Sequence, residues 1–144
     1  AIKEGFLTVA HAGEEGPPDY IWESINLLKV KRIDHGVQCL KDKKLVETLK
    51  EKNIPLTVCP LSNIKLCVFD KLENHNLKEM LDSGLRVVVN SDDPAYFGGY
   101  LNTNLIETSK ALNLSIEDIK VLIKNSFKSS FLNEKSKNSW LNKI

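Results

Sequence analysis

The stretch Leu85-Arg86-Val87-Val88-Val89-Asn90-Ser91-Asp92-Asp93-Pro94 decides the fold class. Its apolar centre, Val87-Val88-Val89, lacks polar alternation, which marks a strand covered on both faces and so a parallel sheet. Gly84 closes a short helical pattern just before it, one that carries Leu77, Met80 and Leu81 and starts at Asn76 with Glu79 as a capping-box-like pair. Working outward, apolar runs alternate with longer segments of helical periodicity, and this spacing predicts four βα units. The first strand is read at Phe6 to His11, followed by a Gly/Pro loop and a helix that turns Ile21, Trp22, Ile25 and Leu28 inward. Pro17-Pro18 suits that helix's start. The second strand runs through Arg32-Ile33-Asp34 to His35-Gly36, and Asp42 caps a helix that buries Leu45, Val46 and Leu49. The third, Pro55 to Cys59, is stopped by Pro60, and residues 61–72 show no regular pattern. After the fourth strand the chain reads as helical: Leu101 to Leu112, a segment capped by Ser115 with Asp118, and Asn133 to Lys143. No repeat or low-complexity linker interrupts it, so residues 1–144 are read as a single unit.

Composition narrows the function. Among 144 residues, 20 Lys+Arg stand against 19 Asp+Glu and are scattered, so no basic stripe points to nucleic acid. The apolar runs fall far short of the about 20 residues a membrane helix needs. Three cysteines, Cys39, Cys59 and Cys67, form no CxxC pair, which argues against a disulfide scaffold or a cysteine zinc cage. With no leader visible, they point to the cytoplasm. The opening Ala1-Ile2-Lys3-Glu4-Gly5 reads as a chain entered at the end of a helix with Gly5 as its C′ residue.

Chemistry gathers at the strand ends. His11 with Glu14, then His35, then Cys59 with Ser62 and Asn63, then Ser91-Asp92-Asp93 each follow an apolar run. In a (β/α) barrel these ends converge on one face, where loops build the active site. Imidazole and carboxylate are suitable ligands for a catalytic zinc that keeps a position open for water. Glu14 is placed to move a proton, and His35 to hold or polarise the attacking water. Asp92 and Asp93, being adjacent, cannot both aim at one atom; one on the metal and one on the substrate is the economical division. Taken singly, each has a plain structural reading: His35-Gly36 as a core histidine before a turn, Asp92-Asp93-Pro94 as loop formers, Cys59 as a small buried apolar residue, and His75 as a surface residue before a helix cap. The coincidence of four strand ends favours the site.

The segments His11-Ala12-Gly13-Glu14, Arg32-Ile33-Asp34-His35-Gly36, Cys59-Pro60-Leu61-Ser62-Asn63 and Asn90-Ser91-Asp92-Asp93-Pro94 resemble the adenosine/adenine deaminases, metal-dependent purine aminohydrolases on a (β/α)8 TIM barrel. Gly16-Pro17-Pro18-Asp19-Tyr20 and Ser91 through Tyr100 are closer to the adenine deaminase branch. The resemblance implies that His11 and Asp92 ligate Zn2+, that Glu14 protonates the purine ring as water attacks, that His35 orients that water, and that Asp93 binds the ring. The reaction implied is hydrolytic deamination of adenine to hypoxanthine and ammonia, in purine salvage; adenosine to inosine is the alternative. The family's first strand supplies a His-x-His pair of further ligands, and His11, His35 and His75 form no such pair. Since a whole barrel takes about 250 residues, the chain is read as the C-terminal half of one, incomplete and inactive alone. The partners implied are a small purine, the N-terminal half or a second copy of the chain, with no nucleic acid and no membrane. A catalytically silent half-barrel that serves assembly is the reading of a different class.

Overall fold

The computed structural model describes residues 1–144 and places four parallel strands in one sheet: β1 Val9–Ala12, β2 Arg32–His35, β3 Leu56–Val58 and β4 Val87–Val89. Their order in the sheet is their order in the chain, as in a (β/α) barrel, whereas a doubly wound sheet reverses at a switch point. Between the strands lie α1 Pro18–Asn26, α2 Lys43–Glu51, α3 Pro60–Lys65 and α4 Leu77–Asp82. Beyond β4 follow α5 Pro94–Phe97, α6 Leu101–Ala111, α7 Ile116–Ser129 and α8 Glu134–Leu141.

The register explains how one sheet serves both stability and chemistry. Ala10, Ile33, Leu56 and Val87 form one cross-strand row, and His11, Asp34, Thr57 and Val88 form the next. Side chains alternate along a strand, so these rows face opposite sides. Ile33, Leu56 and Val87 are fully buried and join Ile21 and Ile25 of α1, Leu45 and Leu49 of α2, Leu77 and Met80 of α4, and Leu122 of α7 in one apolar core. The other row is polar except at Val88.

Local signals hold at several places. Pro18 opens α1, and Asp42 caps α2 by accepting from the Lys44 and Leu45 backbone N–H groups. The second carboxylate oxygen of Asp42 accepts from the Trp22 indole at 2.8 Å, which ties α1 to α2. Ser115 and Asp118 complete a reciprocal capping box on α7, and Asn133 caps α8. A 3-10 turn at Ile2–Glu4 ends on left-handed Gly5.

Elsewhere the structure departs from the sequence reading. Strand β1 begins at Val9, and Phe6 and Leu7, read as strand, are 67% and 53% exposed, because no element of the chain covers them. Leu28 lies beyond the end of α1 and points outward. Asn76 makes no capping bond; its amide donates to the Val37 carbonyl at 2.7 Å, joining α4 to the turn after β2. The segment after Pro60 holds a helix, α3, whose start uses the same proline that ends β3. Its six residues bury polar Ser62 and Asn63, so it carries no apolar periodicity to read. No helix is long and apolar enough to cross a membrane.

Candidate active site

The C-terminal ends of the strands surround a cavity of ≈ 370 Å³ lined by His11, Asp34, His35, Thr57, Cys59, Asn90, Ser91, Asp92 and Leu101. His35 stands at its centre. By alternation His35 shares a row with buried Ala12 and would point among the helices. Its backbone is left-handed, φ 67°, and so is that of Gly36, φ 73°, which turns the ring back toward the polar face and sets its centroid 5.0 Å from that of His11. Asp92 is left-handed as well, φ 56°. Such conformations cost a non-glycine residue about 1–3 kcal/mol and persist where surrounding contacts hold them, a pattern concentrated at functional sites.

Those contacts converge on the ring. Nδ1 of His35 lies 3.1 Å from Glu14 Oε1, and Nε2 lies 4.0 Å from Asp92 Oδ2. Glu14 is carried there by the turn through Gly13, and its Oε1 accepts from the Asn63 amide at 2.7 Å. Burial raises the Glu14 pKa above the ordinary carboxylate value, with the Asp92 and Glu15 charges adding to it and the Asn63 bond opposing it. Burial likewise lowers the pKa of His35, helped by His11 and opposed by the Asp92 and Asp34 charges. A carboxyl whose pKa is raised beside an imidazole whose pKa is lowered brings the proton affinities of the two closer together, which favours proton transfer at such a site.

The remaining side chains surround this pair. His11 is 72% exposed at the cavity mouth, and its Nδ1 lies 3.6 Å from Asp34 Oδ2. Asp34 is held in turn by the Thr57 hydroxyl, at 2.5 Å, and lies 3.4 Å from Arg32 Nε. Ser62 donates to Asp92 Oδ2 at 2.7 Å. Asp93 donates its backbone N–H to Asp92 Oδ1 at 2.9 Å, and its own carboxylate uses one oxygen, Oδ1, to cap α5 at Ala95 and Tyr96. Cys59, read as a small buried residue, is buried, and burial pushes its thiol up to about 12; yet its sulfur, a His35 nitrogen and an Asp92 oxygen all lie within 4.8 Å of one another. The structure thus brings His11, Glu14, His35 and Asp92 together and gives Ser62, Asn63, Asp34 and Thr57 supporting bonds. The sequence reading quoted Ser62 and Asn63 at a strand end without assigning them work. It placed His75 on the surface, whereas the residue is 3% exposed and its ring is bonded to Asn63, because the turn before α4 packs against α3 and Phe69 covers the ring.

A family model described as Adenosine deaminase matches residues 1–144. The chain belongs to the adenosine deaminase family. Within that family it is 67% identical over 137 residues to an adenine deaminase of Crocosphaera subtropica, covering 95% of this chain and 42% of that protein. An adenine deaminase of Acinetobacter baylyi is 54% identical over 144 residues, all of this chain and 43% of that one. Among solved structures, the adenine deaminase from Arthrobacter aurescens superposes with a TM-score of 0.96 at 48% identity, over 99% of this chain and 43% of that chain. An amidohydrolase from Burkholderia ambifaria with bound Zn gives 0.87 at 28% identity, over 97% and 40%. The chain therefore spans about two fifths of the length of the relatives it matches. With its four βα units in sequential order, it corresponds to the C-terminal half of a TIM barrel.

Proposed function

We propose that this chain is the C-terminal half of a zinc-dependent adenine aminohydrolase, converting adenine and water to hypoxanthine and ammonia. The observation that carries the reading is the buried His35 ring set between Glu14 and Asp92 at the strand ends, in a chain 67% identical to an adenine deaminase. The donor chemistry suits zinc. His11 and Asp92 offer imidazole nitrogen and carboxylate oxygen at the cavity, and the contact between His11 Nδ1 and Asp34 is the carboxylate–histidine arrangement that leaves Nε2 free to ligate. When bound there, zinc supplies a nucleophile by acidifying water to near neutral pH.

The protein's own groups do the rest. Glu14, whose pKa burial raises, gives a proton to a ring nitrogen of the purine, which makes the ring carbon bearing the amino group electrophilic. His35 orients the attacking water and takes a proton from it, and Ser62 holds the Asp92 carboxylate that faces His35. Asp93, whose Oδ1 is committed to the α5 cap, offers Oδ2 to a purine ring N–H. The N-terminal half would bring the further metal ligands and cover the apolar surface at Ile2, Phe6, Leu7, Val9, Leu27 and Leu28, which is exposed along the free edge of β1.

The test measures hypoxanthine from adenine and inosine from adenosine, with zinc supplied, for this chain alone and for the chain extended upstream. Adenine turnover in the extended chain alone supports the proposal. Turnover of adenosine in preference to adenine replaces the substrate, and a folded, zinc-loaded, inactive extended chain favours a silent assembly module.

A further inference from the structure

His75 takes no part in the chemistry above, yet it is buried and both its ring nitrogens are engaged. It precedes α4 and packs on the Phe69 ring, with centroids 4.4 Å apart. The Leu77 backbone N–H lies 3.0 Å from Nδ1, and Asn63 Oδ1 lies 3.1 Å from Nε2. A backbone N–H can only donate, so Nδ1 must carry the lone pair. The ring is neutral, since burial lowers its pKa to about 4. Its one proton therefore sits on Nε2 and is donated to Asn63. This settles the orientation of the Asn63 amide: Oδ1 toward His75, and Nδ2 toward Glu14 Oε1 at 2.7 Å and His35 Nδ1 at 3.5 Å. The opposite orientation would set a carbonyl oxygen against the Glu14 carboxyl and an NH2 group against the His75 N–H.

We propose that His75 is a positioning residue for proton transfer by Glu14: its Nε2–H fixes the Asn63 amide, whose N–H holds Oε1 of Glu14 and leaves Oε2 as the oxygen that carries the transferable proton. The relay runs from the α4 backbone through His75 and Asn63 to Glu14, and each polar atom along it has its partner. It rests on the reading of Glu14 as proton donor. Without a donor at position 75, Asn63 Oδ1 is left unpaired in a buried site, and the amide can rotate to the orientation that repels Glu14.

The chain has three histidines, so ring-nitrogen NMR of this chain resolves each of them, with assignment by single His→Gln substitutions. His75 is expected to be neutral at pH 6 with its proton on Nε2. An Nδ1–H tautomer or a charged ring overturns the proposal, and that measurement needs only the unsubstituted chain. In His75→Phe the Asn63 side-chain amide and Glu14 carboxyl resonances should shift, while His75→Gln, which keeps an amide donor, should leave both near their original positions. Unmoved resonances in His75→Phe overturn it. In the extended chain, His75→Phe is expected to lower kcat about 100-fold with KM unchanged, as misplacement of a reacting group does, and His75→Gln to recover most of the loss. A change in KM alone overturns the proposal. If the extended chain turns over no purine while the NMR pattern holds, the substrate reading fails and the bond from His75 to Asn63 stands.

Discussion

Gly13 lies in the turn that carries Glu14 to His35, and replacing it with alanine tests how that turn is built. Its φ is +66°, where an L-residue with a Cβ is disfavoured by about 1–2 kcal/mol. The added Cβ would lie 2.3 Å from Ile21 Cδ1 and 2.6 Å from Cγ1, with the Gly36 Cα at 3.6 Å behind it. Ile21 is fully buried in the core, so its side chain has little room to retreat. Overpacking of this kind costs about 1–3 kcal/mol, and with the backbone strain the expected loss for Gly13→Ala is about 2–5 kcal/mol. Ile21→Val removes the atom at 2.3 Å and by itself costs about 0.5–1.5 kcal/mol. In the double variant the clash with Cδ1 is relieved while the close approach to Cγ1 and the backbone part remain, giving a favourable coupling of about 1 kcal/mol. Urea unfolding followed by far-ultraviolet circular dichroism measures all four corners of the cycle. A loss under about 0.5 kcal/mol for Gly13→Ala, or strictly additive effects, would refute the reasoning.

Acid should weaken the fold through His75. The unfolded ring takes its proton below its ordinary value of 6.5, the folded ring only near 4, so stability is fully present above 6.5 and declines as pH falls toward 4, by about 3 kcal/mol in all. Urea midpoints across that range should fall less steeply in His75→Gln, and parallel slopes would sink the idea. Glu14→Gln in the extended chain should lower kcat by about 10²–10⁴-fold with zinc content unchanged, and activity within tenfold of the parent would remove Glu14 from the proton transfer. Leu122→Ala, which empties the contact of α7 with the sheet, should cost about 2–5 kcal/mol, whereas its neighbour Val121, 43% exposed, should tolerate alanine to within about 0.5 kcal/mol. Equal effects at the two positions, measured by the same unfolding assay, would mean that α7 is not packed as described.

Local chemistry made much of this molecule legible in one dimension. The Val87-Val88-Val89 run announces a strand covered on both faces, and Asp42, Ser115 with Asp118, and Pro18 announce helix starts, because each acts on backbone groups within three residues of itself. His11, Glu14, His35 and Asp92 could be nominated together since parallel strands all end on one side of the sheet. The relations the sequence could not reveal are those between residues far apart in the chain. Asn63 meets Glu14 across 49 positions, and the six-residue helix that carries it is too short to show a sustained apolar stripe. Asn76 looks like a helix cap and instead bonds to Val37, because a nearby carbonyl outcompetes the local N–H. His75 has no signal of burial in its neighbours; only the packing of the turn before α4 against α3 turns it into an internal donor. The sequence by itself determined a parallel βα fold and the imidazole and carboxylate groups carried at its strand ends. Which nitrogen faces which oxygen was decided by tertiary structure alone, since hydrogen-bond direction is set by the few ångströms that separate groups once the chain has closed around them.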